Sequence, residues 1–320
     1  MQPLFSMDEL ERAATQVHAA FPGTPQYRWP LLAQRTGAEI WVKHENHTPT
    51  GAFKVRGGLI HLERIALAGL APNGIISATR GNHGQSLAYA GAKFGVPVTI
   101  VVPHGNSVEK NAAMRAFGAR LIEFGEDFDA ARVESMRLAE RDGLRFAPSF
   151  DKDLVVGVAT WAFEMFTAVR DLAAVYVPIG MGSSICGAVR VRDLMGLTTE
   201  IVGVQSVGAA SYALSFDAGH VVETQVADTQ ADGLATRVPD PAALAIIRGG
   251  VSRIVTVTDD EIAQAMRAYW TDTHNLAEGA GASPLAALMR EREAMAGRRV
   301  GLVLSGGNID LDLFTRWAIG

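Results

Sequence analysis

The chain has 320 residues, 48% apolar and 20% charged, enough for one large α/β unit or two domains of ordinary size. That composition excludes a mainly disordered chain, a collagen-like repeat and a disulfide-stapled miniprotein. The formal charge of −5 argues against a nucleic-acid-binding surface, and no stretch reaches the ~18 uninterrupted apolar residues that would span a bilayer.

In chain order, Met1–Glu11 carries Asp8, Glu9 and Glu11 instead of a basic and then apolar leader, so no secretory signal is expected. Gly74–Thr79 (GIISAT) reads as a buried strand, and His83–Phe94 as a helix that stops near Gly95. Pro97–Val102 is a strand, Ser107–Phe117 a helix and Arg120–Phe124 a short strand. Ala130, Val133, Met136 and Ala139 give Asp127–Asp142 helical spacing, with Gly143 as its stop. A helix near Val158–Val169, a strand at Ala174–Pro178 and a helix over Ser184–Met195 follow. Ile201–Val204 is a strand, Asp259–Tyr269 a long helix, and Val300–Leu304 the last strand. Alternation of β-branched runs with amphipathic stretches marks the α/β class, with mostly parallel sheets and flanking helices. Residues 71–149 form a smaller unit with its own sheet. Residues 1–70 and 150–320 form the larger domain, and the active site is expected in the cleft between the two. Cys186 is the only cysteine, which fits a reducing, cytoplasmic setting.

Four segments carry chemistry. Only five of the 29 basic residues are lysines, and one of them, Lys54, sits in Gly51-Ala52-Phe53-Lys54-Val55-Arg56-Gly57. An amine between Phe53 and Val55 is either a surface lysine at a helix start or a desolvated group of lowered pKa, able to form a Schiff base. Gly180-Met181-Gly182-Ser183-Ser184 lies between a strand and a helix. It is either a tight connection or a phosphate cradle of backbone amides at a helix N-terminus. It lacks the lysine of a nucleoside-triphosphatase loop and the third glycine of a dinucleotide loop. Thr79-Arg80-Gly81-Asn82-His83-Gly84-Gln85 lies at a strand end and helix start, where Asn82 serves either as a cap or as a ligand group. Ser305-Gly306-Gly307-Asn308 follows the last strand and offers a hydroxyl to a ring nitrogen.

Together, and in this order, the segments resemble the fold type II pyridoxal-phosphate enzymes, the tryptophan-synthase-β-like group, and within it the threonine/serine dehydratase and serine racemase branch. The resemblance runs from Thr24-Pro25 to the last strand and includes Ala231-Asp232-Gly233 and Glu278-Gly279-Ala280. It implies that Lys54 binds pyridoxal 5'-phosphate covalently and, once released, removes the substrate's α-proton. By the same resemblance Asn82 bonds the ring hydroxyl and Phe53 packs near the ring. Gly180, Met181, Gly182, Ser183 and Ser184 wrap the phosphate, Ser305 faces the ring nitrogen, and Thr79, Arg80, Gly81 and His83 belong to the loop that takes the substrate carboxylate. A neutral hydroxyl at Ser305 favours prompt loss of a β-leaving group, and the phosphate is the family's proton donor to that group.

The implied reaction is dehydration and deamination of a β-hydroxy-L-amino acid, L-threonine or L-serine by default, to a 2-oxo acid and ammonia. A phenylserine or hydroxyaspartate type of substrate stays open, because Tyr27-Arg28-Trp29 and Ala52 depart from the commonest dehydratases. Arg80 stands where racemases carry a serine, which disfavours racemisation; it either clamps a substrate carboxylate or turns to solvent. Val55 and the Gly-Asn-His-Gly-Gln segment disfavour a β-replacement synthase. A non-catalytic nucleotide-binding module would explain the glycine turns but not Lys54. Gln205, Ala209 and Ser211 stand where metal-dependent relatives offer Glu, a backbone carbonyl and Asp; with both carboxylates absent, no metal is expected there. Gly157-Val158-Ala159-Thr160 replaces the family's Gly-Gln-Gly-Thr, which suggests altered packing. A C-terminal regulatory domain is not expected. A homodimer fits the family, although no interface pattern in the sequence shows one.

Overall fold

The computed structural model describes residues 4–320; Met1, Gln2 and Pro3, the first residues of the acidic N-terminal segment, lie outside the described residues. The chain is a mixed α/β structure with two sheets. After helix α1 (Met7–His18), strand β1 (Gln26–Arg28), helix α2 (Pro30–Thr36) and strand β2 (Glu39–His44), the chain leaves the larger sheet through helix α3 (Lys54–Leu67). It then builds the smaller sheet from β3 (Ile75–Ala78), β4 (Val98–Val102), β5 (Arg120–Glu123) and β6 (Arg145–Phe146). Helices α4 (Asn82–Phe94), α5 (Val108–Ala116) and α6 (Phe128–Asp142) connect those strands. The four run parallel in the order β5-β4-β3-β6.

Helix α7 (Lys152–Ala168) returns the chain to the larger sheet, followed by β7 (Ala174–Pro178), α8 (Ser183–Leu194), β8 (Glu200–Ser206), α9 (Ser211–Ala218), α10 (Pro241–Gly250) and β9 (Arg253–Val257). The helices α11 (Asp259–Thr273) and α12 (Gly279–Arg290) precede the last strand, β10 (Arg299–Leu304). The six strands take the order β1-β2-β10-β7-β8-β9, and only the β1–β2 pair is antiparallel. Buried parallel strands need apolar residues on both faces. Val175, Val177 and Val303 accordingly join one core with α3, α4, α7 and α8, while Ala174, Tyr176, Val300 and Leu302 face a second core with α11 and α12.

Several expected boundaries move, each for a physical reason. Helix α7 begins at Lys152, not near Val158, because the Asp151 side chain accepts the Asp153 amide at 2.9 Å and caps it. Strand β8 extends to both sides of Ile201–Val204, since pairing with β7 and β9 continues through Glu200 and Ser206. Helix α11 runs on to Thr273 and ends at His274 in the left-handed region. The stops at Gly95 and Gly143 lie as expected, with φ of 69° and 63°.

The replacement of Gly-Gln-Gly-Thr is absorbed without disruption. A Cβ on Gly157 would lie 2.4 Å from the Arg56 carbonyl, so α3 and α7 cross with backbones in contact. Ala159 packs against Gly187 of α8, and Thr160 accepts a hydrogen bond from Arg56 at 2.9 Å.

Candidate active site

Three of the four chemical segments follow the carboxyl ends of parallel strands, where open α/β sheets collect ligands. Gly180–Gly182 follows β7 and Ser305 follows the adjacent β10, while Thr79–Asn82 follows β3 of the smaller sheet. Lys54 joins them because the chain turns back on itself. Ala52 bridges Gly306, and the Phe53 amide donates to the Ser305 carbonyl at 2.9 Å, which fixes the first turn of α3 against the end of β10. The Ser86 hydroxyl of α4 donates to the Lys54 carbonyl at 2.7 Å and fastens the same turn from the other side.

Lys54 is half-buried, its Nζ lies 5.0 Å from the Phe53 ring centroid, and it takes no hydrogen-bond partner among the described residues. Burial pushes its pKa down to about 8, and the negative charge of Glu278 only partly opposes this. The Ser305 hydroxyl, 2% exposed, is likewise without a protein partner among the described residues.

Asn82 does not cap its helix; Gly81 holds that position with no side-chain bond. Instead Asn82 donates from Nδ2 to Glu278 Oε1 at 2.8 Å and accepts from Asn308 Nδ2 at 2.8 Å. The third and fourth segments thereby meet Glu278, which precedes α12. Glu278 Oε2 is buried without a hydrogen-bond partner among the described residues, 4.0 Å from Lys110 Nζ. Burial raises the Glu278 carboxyl to about 7, against the pull of Lys110. Lys110, from α5, donates to Asp232 at 2.5 Å. Burial works against its charge, but Asp232 and Glu278 outweigh that and hold its pKa above the ordinary value.

The glycine turn accommodates the side chains of Met181 and Ser183. Only Gly182 is left-handed, at φ 98°, whereas Met181 avoids positive φ and Ser183 is already the first residue of α8. Side chains at these two positions therefore cost no backbone strain. Gly180 must be glycine for a different reason, since a Cβ there would lie 2.4 Å from the Gly233 carbonyl. The amides of Met181, Gly182, Ser183 and Ser184 find no acceptor among the described residues, and the first turn of α8 has none to give them. Trp161 fixes the Ser184 hydroxyl at 3.1 Å, and Tyr212 donates to the Met181 carbonyl at 3.1 Å.

In the loop after β3, Thr79 accepts the Gly81 amide at 3.1 Å, and His83 is buried with Nε2 unpartnered among the described residues. Burial, together with the charges of Lys54 and His61, pushes His83 down to about 3, so its imidazole is neutral. Arg80 is the exception in this group: its side chain is exposed and has no hydrogen-bond or ion-pair partner among the described residues. At the position of the metal-dependent relatives, Gln205 Oε1 accepts the Ala213 amide at 2.9 Å and the Ser211 hydroxyl donates to the Thr236 carbonyl at 2.7 Å.

The sequence motif contained Arg56 without assigning it any part. It is fully buried on the back of α3, two residues after Lys54, and forks onto Glu45 at 2.7 and 2.9 Å. Its remaining donors reach Glu164 at 2.6 Å, Thr160 at 2.9 Å and Thr24 at 3.2 Å. Lys43 closes the network on Glu164 Oε2 at 2.5 Å. Although burial alone would raise Glu164, Arg56 and Lys43 prevail and hold its carboxyl near 2. Four charged groups out of water are tolerable only because every one is paired.

The arrangement suits a phosphorylated aldehyde cofactor. It offers an unpartnered amine of lowered pKa, a row of unclaimed amides at a helix N-terminus, and the hydroxyl of buried Ser305, whose carbonyl holds the turn that carries the amine. Comparison with known proteins agrees. Residues 18–306 match the family described as pyridoxal-phosphate dependent enzyme. An L-threonine ammonia-lyase of Geobacter sulfurreducens is 37% identical over 282 residues, 88% of this chain and 70% of the relative. An L-threo-3-hydroxyaspartate ammonia-lyase of a Pseudomonas species is 30% identical over 312 residues, covering 97% and 98% of the two chains. The structure of the processed form of threonine deaminase isoform 2 from Solanum lycopersicum superposes with a TM-score of 0.88 at 29% identity, covering 99% of this chain and 95% of that one.

Proposed function

Because this chain belongs to the pyridoxal-phosphate dependent enzyme family, we propose that it is an ammonia-lyase that eliminates water from a β-hydroxy-L-amino acid, L-threonine or L-serine by default, and releases a 2-oxo acid and ammonia. The observation that carries this reading is Lys54, an amine lowered to about 8 and held against the Ser305 turn, whose hydroxyl is neutral.

In this reading Lys54 anchors the cofactor, the amides of Gly180, Met181, Gly182, Ser183 and Ser184 hold its phosphate, and Asn82 bonds the ring hydroxyl. Phe53 packs beside the ring, and Ser305 meets the ring nitrogen without forcing a proton onto it. Bound there, pyridoxal phosphate supplies the electron sink that makes the substrate's Cα–H acidic. The Thr79–His83 loop holds the substrate carboxylate on its amides, with His83 neutral. Lys54 Nζ, once free, accepts the Cα proton. Glu278 fixes the Asn82 amide through Oε1. The cleft lies between the cofactor-anchoring unit (residues 1–70 and 150–320) and the substrate-side unit (71–149), which Lys110 joins to Asp232.

A second reading, a hydroxyaspartate type of substrate, is favoured by Arg80, an exposed cation on the substrate loop with no ion-pair partner among the described residues. The same arginine, in place of an acid that could reprotonate the opposite face, weighs against a racemase. Measuring 2-oxo acid release from L-threonine, L-serine, L-threo-3-hydroxyaspartate and β-phenylserine ranks these substrates. A coloured protein that releases none of the 2-oxo acids but inverts an amino acid would defeat the lyase reading.

Two further outcomes are expected. Stripped of cofactor, the protein should take up pyridoxal phosphate faster as pH rises toward about 8, since only the unprotonated Lys54 amine reacts. The rate should rise about tenfold per pH unit below that value and level off above it. A pH-independent rate between 6 and 8 would contradict the assignment. Gly182→Ala puts a Cβ on a left-handed residue, 2.9 Å from Ala243 Cβ. That costs about 1–2 kcal/mol, so cofactor affinity should fall roughly 5- to 30-fold by equilibrium dialysis.

Among the described residues no helix is long and apolar enough to cross a membrane. A cytoplasmic enzyme is supported by its single, buried cysteine, Cys186. A homodimer is supported by exposed Tyr27 and Leu31 beside the edge strand β1, and light scattering at the monomer mass would refute it.

A further inference from the structure

We propose that His61, Asp151 and Asp153 form a binding site for one divalent transition-metal cation, of the Zn²⁺, Co²⁺ or Mn²⁺ kind, outside the active site. His61 lies on α3 two turns beyond Lys54, and the two aspartates flank the first residue of α7. Each of the three offers a ligand atom, and these atoms lie within 4.8 Å of one another.

The imidazole is what sets this cluster apart from an ordinary acidic patch. His61 is 4% exposed, and neither ring nitrogen has a hydrogen-bond partner among the described residues. Nδ1 points between the carboxylates, 3.7 Å from Asp151 Oδ1 and 3.9 Å from Asp153 Oδ2. Both separations are too long for hydrogen bonds. They are close to what a shared cation needs. Nitrogen and oxygen ligands at about 2.1 Å from a metal lie roughly 3.0–3.4 Å from each other, so the two pairs that include Nδ1 must close by about half an ångström.

The remaining contacts leave room for the ion. Asp151 Oδ1 also accepts the Asp153 amide at 2.9 Å, which fixes that carboxylate without using its second oxygen. Arg64 Nη1 donates to both Asp153 oxygens, at 2.7 and 2.9 Å, but its side chain is 64% exposed and can swing away. Asp151, 38% exposed in its side chain, gives a path for entry and for water ligands. One imidazole with two carboxylates suits borderline transition ions better than Ca²⁺ or Mg²⁺, which favour all-oxygen shells. The ion would pin α3, the helix that starts at Lys54, to α7 where their backbones touch. This site is separate from Gln205, Ala209 and Ser211.

The test uses chelator-washed holoenzyme titrated with Co²⁺, read by visible ligand-field absorbance and by the thermal midpoint. One ion per chain should bind with saturation, raise the midpoint and be displaced by Zn²⁺. His61→Ala should weaken binding roughly tenfold or more and abolish the rise in midpoint. Asp153→Asn, which keeps the Asp151 cap, should do the same and carries the test if His61→Ala does not fold. Absence of a saturable signal, or equal binding by His61→Ala or Asp153→Asn, would overturn the site.

Discussion

Lys54→Ala is expected to lower kcat/KM for ammonia release by about 10⁴-fold or more, since it removes both the covalent attachment and the base. The purified variant should also lose the cofactor absorbance near about 410–420 nm. Lys54→Arg should be equally inactive, because a guanidinium stays protonated and does not add to a carbonyl. Stability should change little by comparison, as the Lys54 amine makes no hydrogen bond within the described protein and its burial already disfavours the charged form. This separation of activity from stability distinguishes a working amine from a structural one. A variant that keeps more than a tenth of the wild-type rate would refute the role given to Lys54.

The second large effect falls on stability. Arg56→Met leaves Glu45 and Glu164 facing each other across a buried site with one cation, Lys43, between two carboxylates. Removing one partner of a buried network costs about 3–5 kcal/mol, and the thermal midpoint should drop by roughly 5–15 °C. Arg56→Lys should recover only part of this, since an ammonium cannot reproduce the fork onto Glu45. Arg137→Ala, which breaks an exposed pair with Glu134, should leave the midpoint within scatter. Cofactor retention should weaken along with stability in Arg56→Met, because Arg56 and Lys54 share the first turn of α3. An unchanged midpoint would mean that the network is dispensable.

The elements legible in the sequence were those with local signals. Val98–Val102 reads as a buried strand because all five residues are apolar or β-branched, and Gly143 ends α6 because only glycine enters the left-handed region freely. Strand β1 carried no such signal: Gln26, Tyr27 and Arg28 are polar or exposed and owe their conformation to pairing with β2. Helix α12 was hidden by its glycines and by Pro284, which should break it. The proline leaves the Ala280 carbonyl without its usual donor, and the Ser283 hydroxyl donates to that carbonyl at 2.9 Å instead. Burial of nearly the whole helix outweighs its poor propensity.

At the site, motif order brought Lys54, Asn82, the Gly180–Ser184 turn and Ser305 into view, because each requirement is met within a few consecutive residues. The links between them were not visible. That Asn82 reaches Glu278 and Asn308, 196 and 226 residues away, depends on how two sheets face each other. The charge network behind Lys54 had one signal in the sequence, the Arg56 of its own motif, but the partners Glu45 and Glu164 come from separate elements. Arg80 shows the limit of a motif most plainly, since its loop position was legible and its exposure was not.

The most direct measurement is reductive trapping of the cofactor linkage with borohydride, followed by digestion and mass mapping of the peptides. A single pyridoxyl-modified peptide with the modification on Lys54 is the expected result. Modification at Lys43, Lys93, Lys110 or Lys152, or none in a protein that carries the cofactor, would contradict the account.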